Sequence, residues 1–211
     1  MGTLLSVNTG RGRASEHSDV GRTAIGKRPA TGPVAVAAPG PERGTSGLAG
    51  DEICDARHHG GGDQAVYAYA REDLDAWERE LGRELPAGTF GENLTLRGVD
   101  VTGARIGERW RIGAELVLEV TSPRIPCRTF AGELGEQKWV RRFTEAAVPG
   151  AYLRVLTPGQ ITAGDEVEVL HLPPHEVTIG LTFRALTTER ELLDRLRGID
   201  ALSAAVKRKL G

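Results

Sequence analysis

Five short segments, residues 93–96, 109–112, 116–121, 151–156 and 166–170, are rich in Val, Leu, Ile or aromatic residues and are each closed off by a Gly- or Pro-containing turn. Residues of these types favour pleated, half-buried backbone, and several such strands at close spacing predict a closed or nearly closed β-barrel. Shorter β-type pieces at 3–7, 22–25 and 33–37 lie in a Gly-, Pro- and Ala-rich opening stretch. Two helices decorate this pattern. Leu74, Trp77, Leu81 and Leu85 recur at steps of three and four, which predicts a helix over 71–85 stopped by Pro86 and Gly88. A second is expected over 137–147, ending at Pro149-Gly150. Beyond Pro173-Pro174, helices are expected at 188–197 and 201–210, preceded by Ile179, Leu181 and Phe183. The expected architecture is therefore mainly β with α: a barrel domain over 1–172 and a small helical appendage over 175–211.

Charge narrows the partners. The formal net charge is −2, so no global basic field gathers nucleic acid or acidic lipid. The longest apolar runs are far too short to span a bilayer, and the opening residues lack a basic flank with a longer apolar core. Two cysteines, Cys54 and Cys127, are too few for a disulfide scaffold. A cytoplasmic protein with free thiols, binding neither nucleic acid nor membrane, is the expectation.

Four segments can carry chemistry, and each also has a purely structural reading. In His58-His59-Gly60-Gly61-Gly62-Asp63-Gln64 the glycines let backbone amides approach an anion, with polar contacts from the flanking side chains; the same run is also an ordinary solvated loop before a strand. In Gly91-Glu92-Asn93-Leu94, Asn93 can bond a heterocycle edge and Glu92 can accept from a ring N–H, or the pair simply turns into a strand. Ala24-Ile25-Gly26-Lys27-Arg28-Pro29 is a phosphate clamp or an exposed basic turn.

The fourth is Ser122-Pro123-Arg124-Ile125-Pro126-Cys127-Arg128. Its prolines fix φ and remove ladder donors, so the chain is expected to leave the sheet there. A cysteine between two arginines sits in the electropositive setting where thiolates form, and a thiolate is both a nucleophile and a soft metal ligand. The bland alternative is a small apolar filler. Cys54, without a Cys-x-x-Cys partner, is read as buried filler. Nucleotide-binding glycine fingerprints and serine-hydrolase elbows are absent from the sequence.

Taken in order, Thr23 to Pro29, Gly47 to Asp51, His59-Gly60-Gly61 with Asp63-Gln64, Gly91 to Leu94 and Ser122 to Cys127 resemble the MOSC family, named for the C-terminal domain of molybdenum-cofactor sulfurases. The similarity is closest to its bacterial YiiM-like branch, and the tail resembles the three-helix domain that often follows there. Gly62 stands where proline is more usual. The resemblance implies a β-barrel holding a molybdenum cofactor of the molybdopterin type, with Cys127 as the metal's thiolate ligand. It implies a detoxifying reductase of N-hydroxylated compounds, including bases such as hydroxylaminopurine. Electrons would come from a separate flavin or iron–sulfur reductase. On that reading Cys127, His59 and Asp63 are catalytic; Lys27, Arg28, Gly60, Gly61, Gln64, Glu92, Asn93, Ser122 and Arg124 hold the cofactor. The alternative is a non-catalytic cofactor-binding or sulfur-carrier module that uses Cys127.

Overall fold

The computed structural model describes residues 1–40 and 44–210. Its strands, in chain order, are β1 (Gly2–Thr9), β2 (Arg13–Ala14), β3 (Arg22–Thr23), β4 (Arg28–Pro29), β5 (Val34–Val36), β6 (Val66–Ala70), β7 (Leu94–Arg97), β8 (Arg109–Ile112), β9 (Leu116–Pro123), β10 (Ala151–Thr157), β11 (Gly159–Ile161) and β12 (Glu166–His171). The ladder runs β12-β8-β9-β10-β6-β7-β1 and returns to β12 through Gly2↔Val167 and Thr3↔Glu166. Closure leaves no free edge in this ring of seven strands, the expected barrel. One pair is parallel, β6 with β7, and the crossover a parallel pair needs is supplied by helix α1 (Arg71–Leu81).

Strand β6 shows how the sequence builds two cores at once. Successive side chains of a strand point to opposite faces. Val66, Ala68 and Ala70 enter the aliphatic core with Leu4, Leu94, Leu118 and Leu153. Tyr67 and Tyr69 point the other way, into an aromatic cluster with Trp77, Phe90, Phe130, Trp139 and Phe143. Helices α2 (Arg128–Leu134) and α3 (Trp139–Ala146) cap that cluster, with edge-to-face contacts such as Phe130–Trp139 at 5.5 Å. Ring pairs of this geometry add stabilisation beyond the area they bury.

Some boundaries differ from the periodicity. Helix α1 ends at Gly82, which takes the left-handed conformation (φ 65°), rather than running to residue 85. Leu85 keeps the buried position because its N–H bonds the Glu78 carboxylate at 2.7 Å. Residues 179–187 form a helix, α4 (Ile179–Thr187), capped by the Thr178 hydroxyl. The stretch expected as a helix at 188–197 is a 3-10 segment, Arg190–Leu196, and the last helix, α5, is only Ala204–Lys207. Val177, Ile179, Leu196, Leu202 and Val206 are continuous with the barrel's aliphatic core.

Candidate functional site

A cavity of about 660 Å³ opens where the end of β9, the His-Gly-Gly loop, the turn after β3 and the C-terminal segment converge. Pro123 closes β9 opposite Ala151, and Pro126 delivers Cys127 to the start of α2. Cys127 has extended backbone there, and its sulfur accepts the Phe130 N–H at 3.4 Å. It is half-buried and lines the cavity. Cys54, expected as buried filler, is also half-buried and on the cavity wall, with its thiol pushed up by burial.

Arg124 is a buried charge of the cavity lining. Its guanidinium donates to the Phe90 carbonyl and lies 4.3 Å from the centre of the Phe130 ring and 5.1 Å from that of Tyr67. Burial works against the cation, while the facing Tyr67, Tyr152 and Cys127 favour it. His59 lies 3.3 Å through Nδ1 from the Tyr152 hydroxyl. Burial, aided by the Arg124 charge, lowers the imidazole to about 4, so the ring is neutral near pH 7. Tyr67 donates its hydroxyl to the Pro149 carbonyl, which leaves Tyr152 as the tyrosine whose hydroxyl faces His59.

The structure distributes the sequence-derived residues unevenly. Lys27, His59, Gly60, Gln64, Asn93 and Ser122 line the cavity with Arg124 and Cys127. Gly60 needs its lack of side chain: at φ 79° a Cβ would come within 3.0 Å of the Gly44 amide and the Thr45 carbonyl. Gly61 is buried beside it and bonds the Thr45 carbonyl at 3.1 Å. Arg28 lies outside the cavity lining, exposed on β4 opposite Thr9. Glu92 is fully buried behind the wall, accepting from the Gly88 and Phe90 amides and the Thr95 hydroxyl. Burial pushes its carboxyl up. Asn93 reaches the wall, but its amide is committed to Tyr67, Asn8 and Asp51. Asp63 points away from the cavity to Arg154. Sequence reasoning missed Tyr67, Tyr152 and Arg22 as lining residues, and the contribution of Ser203, Val206 and Arg208. The alternation of Val66-Tyr67-Ala68-Tyr69 was the available signal for Tyr67.

Comparison with known proteins decides the family. The model of the MOSC domain matches residues 55–168, and a Bacillus subtilis protein, YflK, is 34% identical over 169 residues, spanning 80% of this chain and 73% of its own length. The chain belongs to the MOSC domain family. Within it the YiiM-like branch is the match. YiiM of Escherichia coli is 30% identical over 127 residues, covering 59% of this chain and 56% of that protein. The crystal structure of YiiM from Geobacillus stearothermophilus superposes with a TM-score of 0.80 at 25% identity, covering 100% of this chain and 97% of the other. A Gibberella moniliformis protein named "Reductase" is 30% identical over 175 residues, and the match spans 82% of this chain but 30% of that protein's length.

The MOSC domain is associated, at the level of the family, with binding of the molybdenum cofactor. The donor set here fits such a group. Gln64 Oε1, Ser122 Oγ and Arg124 Nε are buried without a hydrogen-bond partner among the described residues, and all three residues line the cavity. Orphaned buried polar atoms are costly, and a polar ligand satisfies them. Among the described residues no group of three or more His, Cys, Asp or Glu side chains is placed to hold a metal ion. Among the described residues no helix is long and apolar enough to cross a membrane.

Proposed function

We propose that this chain is a molybdenum-cofactor-dependent oxidoreductase that reduces N-hydroxylated compounds, bases such as hydroxylaminopurine among them, with electrons from a separate flavin or iron–sulfur reductase. The observation that carries the reading is Cys127 on the wall of a cavity whose lining residues Gln64, Ser122 and Arg124 each hold a buried polar atom with no hydrogen-bond partner among the described residues. The cofactor, when bound, supplies the two-electron chemistry that cleaves the N–O bond.

The chain's own residues bind, orient and hold protons. Cys127 offers a soft sulfur ligand for molybdenum. Ser122 and Gln64 offer hydrogen bonds to a heterocycle, and Arg124 offers its Nε–H. Arg22, Arg128, Arg208 and Lys209 give the mouth a cationic bias over Asp19, Glu52 and Asp55, which suits an anionic group such as a phosphate. Ile25, Leu186 and Val206 add apolar surface to the lining. Reduction of a hydroxylamine to an amine and water consumes two protons with its two electrons. Tyr152 Oη holds a proton at the cavity wall, and neutral His59 is its hydrogen-bond partner.

The test is reduction of hydroxylaminopurine by protein from a host that makes the cofactor, with a chemically reduced dye as donor. Turnover that disappears in Cys127→Ala is the expected result. A persulfide on Cys127 with neither metal nor turnover overturns the reading in favour of a sulfur carrier.

A further inference from the structure

Asp63 follows the glycine loop, yet its carboxylate serves a neighbouring element. Oδ1 accepts from Arg154 at 2.7 Å and Oδ2 accepts from the Ala204 amide at 2.7 Å. Arg154 continues to Glu119 at 3.0 Å and donates to the Ala201 carbonyl at 3.2 Å. The Thr121 hydroxyl donates to the Asp63 carbonyl at 2.6 Å, and the Thr121 carbonyl accepts from the Ser203 amide at 3.2 Å. Strands β9 and β10 and the glycine loop thus converge on residues 201–204.

Ser203 within this anchor and Ala205, Val206, Arg208 and Lys209 beyond it line the same cavity as Cys127. Helix α5 has four residues, far too few to hold itself in place. Leu202 and Val206 are buried in the core and Leu210 packs against it, so apolar contacts hold the segment at three points while Ala204, the first residue of α5, is tied by its amide to Asp63. The polar anchor fixes the first turn of α5, where the chain enters the cavity wall.

We propose that Asp63 is a positioning residue, a latch that holds residues 203–209 as one wall of the cavity and so controls access to the Cys127 sulfur. This deepens the reductase reading and rests on it for the importance of that sulfur, but the latch is testable on the full chain without cofactor.

The measurement uses a Cys54→Ala background, so that only Cys127 reacts. The rate of Cys127 labelling by a neutral maleimide is followed together with hydrogen exchange of the 204–209 amides. Asp63→Ala is expected to speed both, labelling on the order of tenfold, because the segment opens locally. Ala204→Pro removes the amide donor without touching Asp63. Proline suits a first helical position, and Ser203 already has the extended backbone (φ −59°, ψ 147°) that precedes it readily. It is expected to shift both readouts in the same direction, and it decides the matter alone should Asp63→Ala fail to fold. Asp63→Asn, which keeps an acceptor for the amide, should fall between wild type and alanine.

Faster exchange with unchanged labelling overturns the wall, and unchanged exchange overturns the latch. Faster labelling in a protein that never carries molybdenum keeps the latch and removes the reductase reading instead.

Discussion

Lys27 and Asp51 form an ion pair shut away from solvent, their side chains 6% and 0% exposed. Asp51 also accepts from the Gly10 amide (2.8 Å), the Ser46 hydroxyl (2.7 Å) and the Asn93 amide (2.9 Å). Burial lowers Lys27 and the Asp51 charge opposes that shift, so the pair stands or falls together. Asp51→Ala leaves a buried cation and several donors unmatched. It is expected to cost about 3–5 kcal/mol in urea unfolding, the usual size for breaking a buried pair from one side.

His59 predicts a pH dependence. Its folded value of about 4 lies below the ordinary 6.5, so between those limits the unfolded chain binds the extra proton. Its contribution to stability is full above about pH 6.5 and is lost as pH falls towards 4. In paired denaturation curves, His59→Gln should lose less stability than wild type between pH 7 and pH 5. An equal loss in both proteins removes the neutral-ring assignment.

Asp73 has the opposite sign. Burial, with Asp100 and Glu72 nearby, raises its carboxyl from 3.8 to about 6. The folded chain therefore holds the extra proton between those values, and stability falls as pH rises through them. Asp73→Asn is expected to stabilise the protein at pH 7 by about 1 kcal/mol, after discounting for partial exposure and the lost charge in the first helical turn. The gain should vanish at pH 4.

Phe130 joins core and site. It is fully buried, contacts Phe90, Trp139 and Phe143 edge-to-face, and carries the Arg124 guanidinium over its face. Phe130→Ala is expected to cost about 3–5 kcal/mol through the cavity it opens, read as a lower thermal midpoint.

The barrel was legible because its strands alternate or run apolar between Gly and Pro turns, a pattern that needs no tertiary knowledge. Helix α2 was not legible: it is seven residues long, follows Pro126 directly, and takes a cysteine as its N-cap. Helix α4 was missed because Ile179, Gly180, Leu181, Thr182 and Phe183 are all buried, so no polar face marks its period. In the site, residue types were readable and directions were not. Lys27 contributes to the cavity wall with its ammonium held by Asp51 while adjacent Arg28 is exposed outside it, and Asn93 reaches the wall while Glu92 stays behind it. Such opposite fates of neighbours follow from the turns they sit in, whose side chains are held by partners far away in sequence, such as Asp51 for Lys27 and Asn93. The role of residues 203–209 is set by Asp63 and Arg154, contacts between residues far apart in sequence.

The decisive measurement is molybdenum and pterin content of the full chain purified from a host able to make the cofactor. About one molybdenum and one pterin per chain are expected in wild type, with molybdenum lost in Cys127→Ala. Wild-type protein that emerges folded with neither contradicts the proposed chemistry outright.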